Sequence, residues 1–63
     1  MNWRKLNDNQ IECDGYVITR THDKRGNASY SLEYLGHWMS RSGSAEQMKQ
    51  RAEQHKAMRE VAA

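Results

Sequence analysis

Asp14-Gly15-Tyr16-Val17-Ile18-Thr19-Arg20-Thr21-His22-Asp23-Lys24-Arg25-Gly26-Asn27-Ala28-Ser29-Tyr30-Ser31-Leu32-Glu33-Tyr34-Leu35 is the stretch that decides the fold. Asp14-Gly15 is a two-residue hairpin signal, because both central positions of that turn need a positive φ and Gly adopts it freely. Tyr16 to His22 is dense in β-branched and aromatic residues, which suit the pleated surface of a strand. Asp23 to Asn27 is a polar loop with Gly26 near its tip. Ala28 to Leu35 alternates, with Tyr30, Leu32 and Tyr34 on one face and Ser29, Ser31 and Glu33 on the other. Just upstream, Ile11-Glu12-Cys13 is a short alternating piece. The pattern predicts three antiparallel strands in meander order between residues 11 and 35, the third ended or bulged by Gly36.

Alternation also sorts the middle strand. Tyr16, Ile18, Arg20 and His22 share one side; Val17, Thr19 and Thr21 share the other. Val17 and Ile18 are both good core residues, so the pattern alone does not choose the face that packs.

The C-terminal third reads as a helix. Ser44 followed by Gln47 fits a capping box, and Ser42-Gly43 supplies the approach. From Ala45 to about Val61 there is no Gly or Pro, and most residues are good helix formers. Ala45, Met48, Ala52, His55, Met58 and Ala62 recur at steps of three and four, forming one stripe towards the sheet. Glu46 in the first turn and Arg59 near the end both suit the helix dipole. Residues 1–10 are polar apart from Trp3 and Leu6, carry turn chemistry at Asn7-Asp8-Asn9, and are expected to precede the sheet. Trp3 is then an exposed aromatic. Trp38 and Met39 stand before an Arg41-Ser42-Gly43 linker, with Trp38 expected to cap the core. The expected fold is therefore α+β: a three-stranded antiparallel β-meander (residues 11–35) packed against one C-terminal α-helix (residues 44–61), as a single domain over residues 1–63.

Bulk properties bound the function. A chain of 63 residues with an apolar fraction of 37%, no Phe and no Pro fills one thin core layer. Chains this short bury only about 60% of the surface exposed on unfolding. A deep, dry catalytic pocket has little room. Cys13 is the sole cysteine, which rules out a disulfide within the chain. That lone thiol, with no targeting segment in Met1 to Leu6, predicts a cytoplasmic location. No stretch approaches the roughly 18 apolar residues of a membrane span. Leftover apolar surface on so thin a core predicts a homodimer.

Chemistry-bearing residues are sparse. His22, His37, His55 and Cys13 match no paired-ligand spacing, so no metal is expected. Cys13 with a histidine lacks the orienting group and oxyanion site of a nucleophilic centre. The reading is of a non-enzymatic module without a cofactor. The suggestive segment is Asp23 to Asn27 with Arg20 and His22 leading in. A basic loop on a two-stranded ribbon can enter a major groove or lie along phosphates. Arg20, His22, Lys24, Arg25, Asn27 and Arg41 are the candidate nucleic-acid-binding residues. The net charge of +2 permits such a partner without demanding one. The alternative is a module that binds and modulates a host protein through a sheet edge, Trp3 or the helix.

Gly15-Tyr16-Val17-Ile18-Thr19-Arg20, then Tyr30-Ser31-Leu32-Glu33-Tyr34-Leu35-Gly36, then Ser44-Ala45-Glu46-Gln47-Met48-Lys49-Gln50-Arg51-Ala52-Glu53, resemble as a pattern the small three-strand-plus-helix DNA-binding domains. These are the arm-binding domains of tyrosine integrases, plant AP2-type domains and the bacterial cell-division activator CedA. The resemblance spans residues 11 to 60. It implies that the sheet face opposite the helix reads the major groove, through Arg20 and His22 or through Thr19 and Thr21 according to register, with Lys24 and Arg25 on the loop. In size and mixed polar surface the chain also resembles short early-region proteins of temperate phages and prophages.

Overall fold

The structure, a computed structural model, describes residues 2–62, with the backbone alone of residue 62. The fold is α+β: a five-stranded antiparallel sheet in the order β1-β2-β3-β4-β5, followed by one helix. The strands are β1 (Arg4–Asn7), β2 (Gln10–Cys13), β3 (Tyr16–His22), β4 (Ala28–Tyr34) and β5 (His37–Ser42); the helix, α1, is Ala45–Ala62. The three expected strands are the middle three, β2, β3 and β4. Two edge strands flank them where sequence reasoning placed an N-terminal segment and a linker.

The two missed strands follow from turns. Asn7 Oδ1 accepts the Asn9 N–H at 2.8 Å, a side-chain mimic of a backbone turn. It folds β1 back on β2, with Lys5 opposite Ile11 and Arg4 opposite Glu12. At the other side, Leu35 (φ 50°) and Gly36 (φ 84°) are both left-handed. That pair is the two-residue hairpin geometry whose twist matches the flanking strands. Gly36 therefore does not merely end β4; it turns the chain into β5. Asp14 (φ 52°) and Gly15 (φ 89°) repeat this turn between β2 and β3, as expected. The two turns lie side by side, and Leu35 N–H donates to Gly15 O at 2.9 Å.

Register decides the packed face. Tyr16 faces Tyr34 and Ile18 faces Leu32 across β3 and β4, and Ile11 faces Ile18 across β2 and β3. Tyr16, Ile18 and Leu32 are buried with Met48 and Ala52 of the helix, and Trp3, Ile11, Tyr30, Tyr34 and Met39 pack around them. The helix thus covers the Tyr16–Ile18 side of the sheet, lying on β3, β4 and β5. Arg20 and His22 share that side by alternation, and Val17, Thr19 and Thr21 face the open side. Cys13 is a buried free thiol opposite Tyr16.

The helix begins where the capping residues place it. Gln47 N–H donates to Ser44 Oγ at 3.4 Å, and Ser44 N–H donates to Ser42 Oγ at 3.1 Å. The stripe holds at Met48 and Ala52, both fully buried. It fails at Met58, which is 71% exposed. The facing row runs 48, 52, 55, 59, and residue 58 lies about 100° round the helix from residue 59. Arg59 takes the position expected of Met58, while the Ala62 side chain lies outside the described residues. Both tryptophans also exchange their expected roles. Trp3 packs on the core, because β1 brings it over the helix side, and Trp38 is 66% exposed.

Gly15 is the turn glycine most constrained by its surroundings. A Cβ there would meet Leu35 Cδ2 at 2.9 Å and Tyr34 Cε1 at 3.2 Å, whereas none would meet anything within 4 Å at Gly26. Leu35 can yield, but Tyr34 is held in a ring stack. Gly15→Ala should lower stability by about 1–2 kcal/mol and Gly26→Ala by about 1 kcal/mol or less, read from urea unfolding midpoints.

Candidate nucleic-acid interface

β3 and β4 outrun their neighbours at one end. The last pairing of β2 with β3 is Gln10 with Thr19, and the last of β5 with β4 is Ser42 with Tyr30. Beyond Arg20 and Tyr30 only two β3–β4 pairs continue, Thr21 with Ser29 and His22 with Ala28. The 23–27 loop closes this two-stranded finger. Asp23 builds the loop from inside: its Oδ1 accepts Arg25 N–H at 2.8 Å and Asn27 N–H at 2.9 Å. Asp23 N–H donates to Asn27 O at 3.0 Å, and Gly26 N–H to Asp23 O at 3.1 Å. The bonds from Asn27 and Arg25 hold the Asp23 carboxyl below the usual carboxylate range. The only acidic side chain of the loop is thus occupied by its own backbone, and Lys24 and Arg25 stand exposed at the tip.

The six candidate residues gather at this end but not on one surface. Lys24, Arg25 and Asn27 belong to the loop. His22 is exposed on the helix side of the finger. Arg41 pairs with Ser31 on the open side and donates from Nη2 to Ser29 Oγ at 3.1 Å, while Thr21 Oγ1 and Ser29 Oγ share a hydrogen bond of 2.9 Å. Arg20 turns back onto the sheet. Its Nη2 donates to Asp8 O at 2.9 Å and to Asn9 Oδ1 at 3.4 Å, and its Nε is buried without a hydrogen-bond partner. Such an unmet donor costs about 1–3 kcal/mol. Of the alternatives the resemblance left open, the face opposite the helix carries Thr19 and Thr21, not Arg20 and His22.

That open face is polar and nearly balanced in charge. Register lines up Arg4, Glu12, Val17, Glu33 and Trp38 in one row, and Asn7, Gln10, Thr19, Ser31 and Arg41 in the next. Arg4 and Glu12 form an ion pair at 3.2 Å. Asn7 Nδ2 donates to Gln10 Oε1 at 2.8 Å and Gln10 Nε2 to Thr19 Oγ1 at 3.1 Å. The side chains satisfy one another across strands, so the face offers few free cations; the finger offers more.

Sequence reasoning missed a second constellation at the opposite end. Tyr16 is fully buried, yet its hydroxyl has two partners. It meets His55 Nδ1 at 2.6 Å and accepts from Arg59 Nε at 3.1 Å. Arg59 can only donate to this oxygen, whereas the Tyr16–His55 bond runs in the direction set by the imidazole tautomer. Tyr34 stacks on Tyr16 with centroids 4.5 Å apart, and the Arg59 guanidinium lies 4.6 Å over the Tyr34 ring. Lys56 Nζ reaches Asp14 Oδ2 at 2.6 Å. That bond and its charge hold Asp14 below the usual carboxylate range and raise Lys56. The helix is thereby pinned to both hairpin turns. The available signal was the 55, 56, 59 spacing, which puts three polar residues on the sheet side of the last two turns.

On the helix side, β1 and β2 lie beyond the helix. A groove of about 180 Å³ opens there, floored by Ile11, Ile18 and Tyr30 and walled by Lys5, Arg20 and Ala45. Among the described residues no group of three metal-ligating side chains gathers, and no helix is long and apolar enough to cross a membrane. Comparison with protein-family models, with curated proteins and with solved structures finds no match.

Tyr16→Phe removes a hydroxyl with two partners and leaves His55 Nδ1 and Arg59 Nε unmatched. It should cost about 1–3 kcal/mol of stability, measured by denaturant unfolding, while the finger's amide resonances stay in place. A carboxyl held low in the folded state stabilises it above the unfolded-state value and loses that contribution as pH falls through the folded-state value. The acid limb of a stability–pH curve should therefore be flatter in Asp14→Asn and Asp23→Asn than in the parent chain.

Proposed function

We propose that this protein is a small non-enzymatic module that binds duplex nucleic acid through its β3–β4 finger. The observation carrying this reading is the loop architecture: Asp23 is turned inward onto the loop backbone, and Lys24 and Arg25 stand exposed at the tip of a free ribbon. A two-stranded ribbon fits the width of a major groove, and cations at its tip meet phosphates. Arg41, at the base of the finger, adds a third cation on the open side, beside the hydroxyls of Thr21 and Ser29. Thr19 and Thr21 are the open-face residues nearest a groove entered this way. The near-neutral remainder of that face makes the finger, rather than the whole sheet, the point of contact. Position on the duplex then comes mainly from phosphate contacts, which carry little sequence information.

A second reading, a module that binds a partner polypeptide, draws on a different feature. β5 is an edge strand and presents Trp38 at 66% exposure, and Leu35, in the turn that leads into it, is 67% exposed. An edge offers unpaired backbone groups to an added strand, and an exposed tryptophan is a common anchor at protein interfaces.

The two readings separate in solution. Titrating a short duplex into labelled protein at low salt should move resonances of residues 21–29 and Arg41 and leave Trp38 unmoved. Lys24→Ala with Arg25→Ala should weaken binding to all sequences alike and lower the slope of log affinity against log salt by about two. Movement confined to β5, or no movement, overturns the nucleic-acid reading.

A further inference from the structure

The groove over β1 and β2 has features that the finger does not use. Its floor of Ile11, Ile18 and Tyr30 and its cations Lys5 and Arg20 come from two adjoining registers: Lys5, Ile11 and Ile18 in one row, Arg20 and Tyr30 in the next. Ala45, the first residue of α1, closes the far side, and Asn7, Asp8, Asn9 and Gln10 form the near rim. The floor is apolar and the rim is polar. Two cations, Lys5 and Arg20, stand against one carboxylate, Asp8, which Lys5 already meets at 3.3 Å. Arg20 holds Asp8 O and Asn9 Oδ1 through Nη2, and its buried Nε–H has no acceptor.

We propose that this groove is a binding site for the C-terminal residue of a partner polypeptide, an apolar side chain carrying a free carboxylate. Size sets the first limit. Pockets for drug-sized ligands run to about 300–1,000 Å³, and this one holds about 180 Å³, the scale of a single side chain. Charge complementarity sets the second. An apolar group on Ile11, Ile18 and Tyr30 brings an attached carboxylate up to Lys5 and Arg20, and a small rotation of the guanidinium gives Arg20 Nε its missing acceptor. The positive end of the helix at Ala45 favours the same sign of charge. A chain terminus carries both groups on one residue, whereas an internal apolar residue brings no anion of its own. The site is separate from the finger and does not rest on the nucleic-acid reading.

The test is a titration of labelled full-length protein with the tripeptide acetyl-Gly-Gly-Leu bearing a free carboxylate. Resonances of Ile11, Ile18, Tyr30 and Ala45 are expected to move together. Capping the peptide as its amide is expected to weaken binding at least tenfold, and Lys5→Glu, at an exposed rim position, by about the same factor. The Lys24→Ala, Arg25→Ala variant is expected to bind the peptide as the parent does. Three outcomes overturn the proposal: no movement in the groove, equal binding of acid and amide, or isovalerate binding as tightly as the peptide. The last would assign the groove to a free small acid.

Discussion

The buried hydroxyl of Tyr16 is the constraint on which the arrangement depends. A fully buried phenol must place its O–H somewhere, and here the helix supplies both partners, His55 and Arg59. Those two residues and Lys56 lie in the second half of α1, so satisfying Tyr16 fixes that half against the paired Asp14-Gly15 and Leu35-Gly36 turns. The Ser44 cap fixes the first turn beside the end of β5. Both ends of the helix are thus set by polar contacts, and the apolar contact between them is slight: Met48 and Ala52 are its only fully buried residues among those described. In a chain with so thin a core, the polar contacts choose the helix position and the apolar ones reward it.

That position has a consequence for function. Held over β3, β4 and β5, the helix leaves the helix-side surface of β1 and β2 partly bare. Trp3 covers some of it, and the rest is the groove. The β3–β4 hairpin likewise runs past its neighbouring strands. The molecule therefore has one end where side chains are tied into folding contacts and another where Lys24, Arg25 and His22 are not. The open face between them is stitched by Arg4–Glu12, Asn7–Gln10–Thr19 and Thr21–Ser29–Arg41. Such contacts at the surface add little stability individually, but they occupy polar groups that a partner would otherwise use.

The legibility of the sequence follows the same division. β3 and β4 were readable because alternation and β-branching coincide there, and α1 because Ser44 and Gln47 bracket a run without Gly or Pro. β1 and β5 were not. Arg4-Lys5-Leu6-Asn7 and His37-Trp38-Met39-Ser40-Arg41-Ser42 are edge strands with little apolar content, so no period-two signal rises above their polarity. The turns were the better guide. Asn7-Asp8-Asn9 reads as turn chemistry, but nothing in the polar residues before it marks a strand. Leu35-Gly36 reads as a strand end because Leu rarely adopts a positive φ. The finger was visible as a basic loop; that Asp23 is spent internally, and that Arg20 folds back to Asp8 and Asn9, depends on a turn geometry that charge counting does not contain. The groove was invisible, since it joins residues from four strands and the helix.

The separation of folding end from finger also governs how the protein can change. Lys24 and Arg25 make no contact with the buried cluster of Tyr16, Ile18, Leu32, Met48 and Ala52. Substitution there alters charge at a solvent-exposed tip, and surface changes away from caps, cores and networks usually stay within about 0.5 kcal/mol. Asp23 is different, because the loop's shape depends on the two backbone N–H groups it accepts. A chain with marginal stability to spare can vary its affinity at positions 24 and 25 while Asp23, Gly26 and the Thr21–Ser29 rung hold the ribbon in shape. The same reasoning makes Arg20 the exception among the cations at this end. It is tied to the β1–β2 turn, so exchanging it alters the groove and the attachment of β1 before it alters any contact made by the finger.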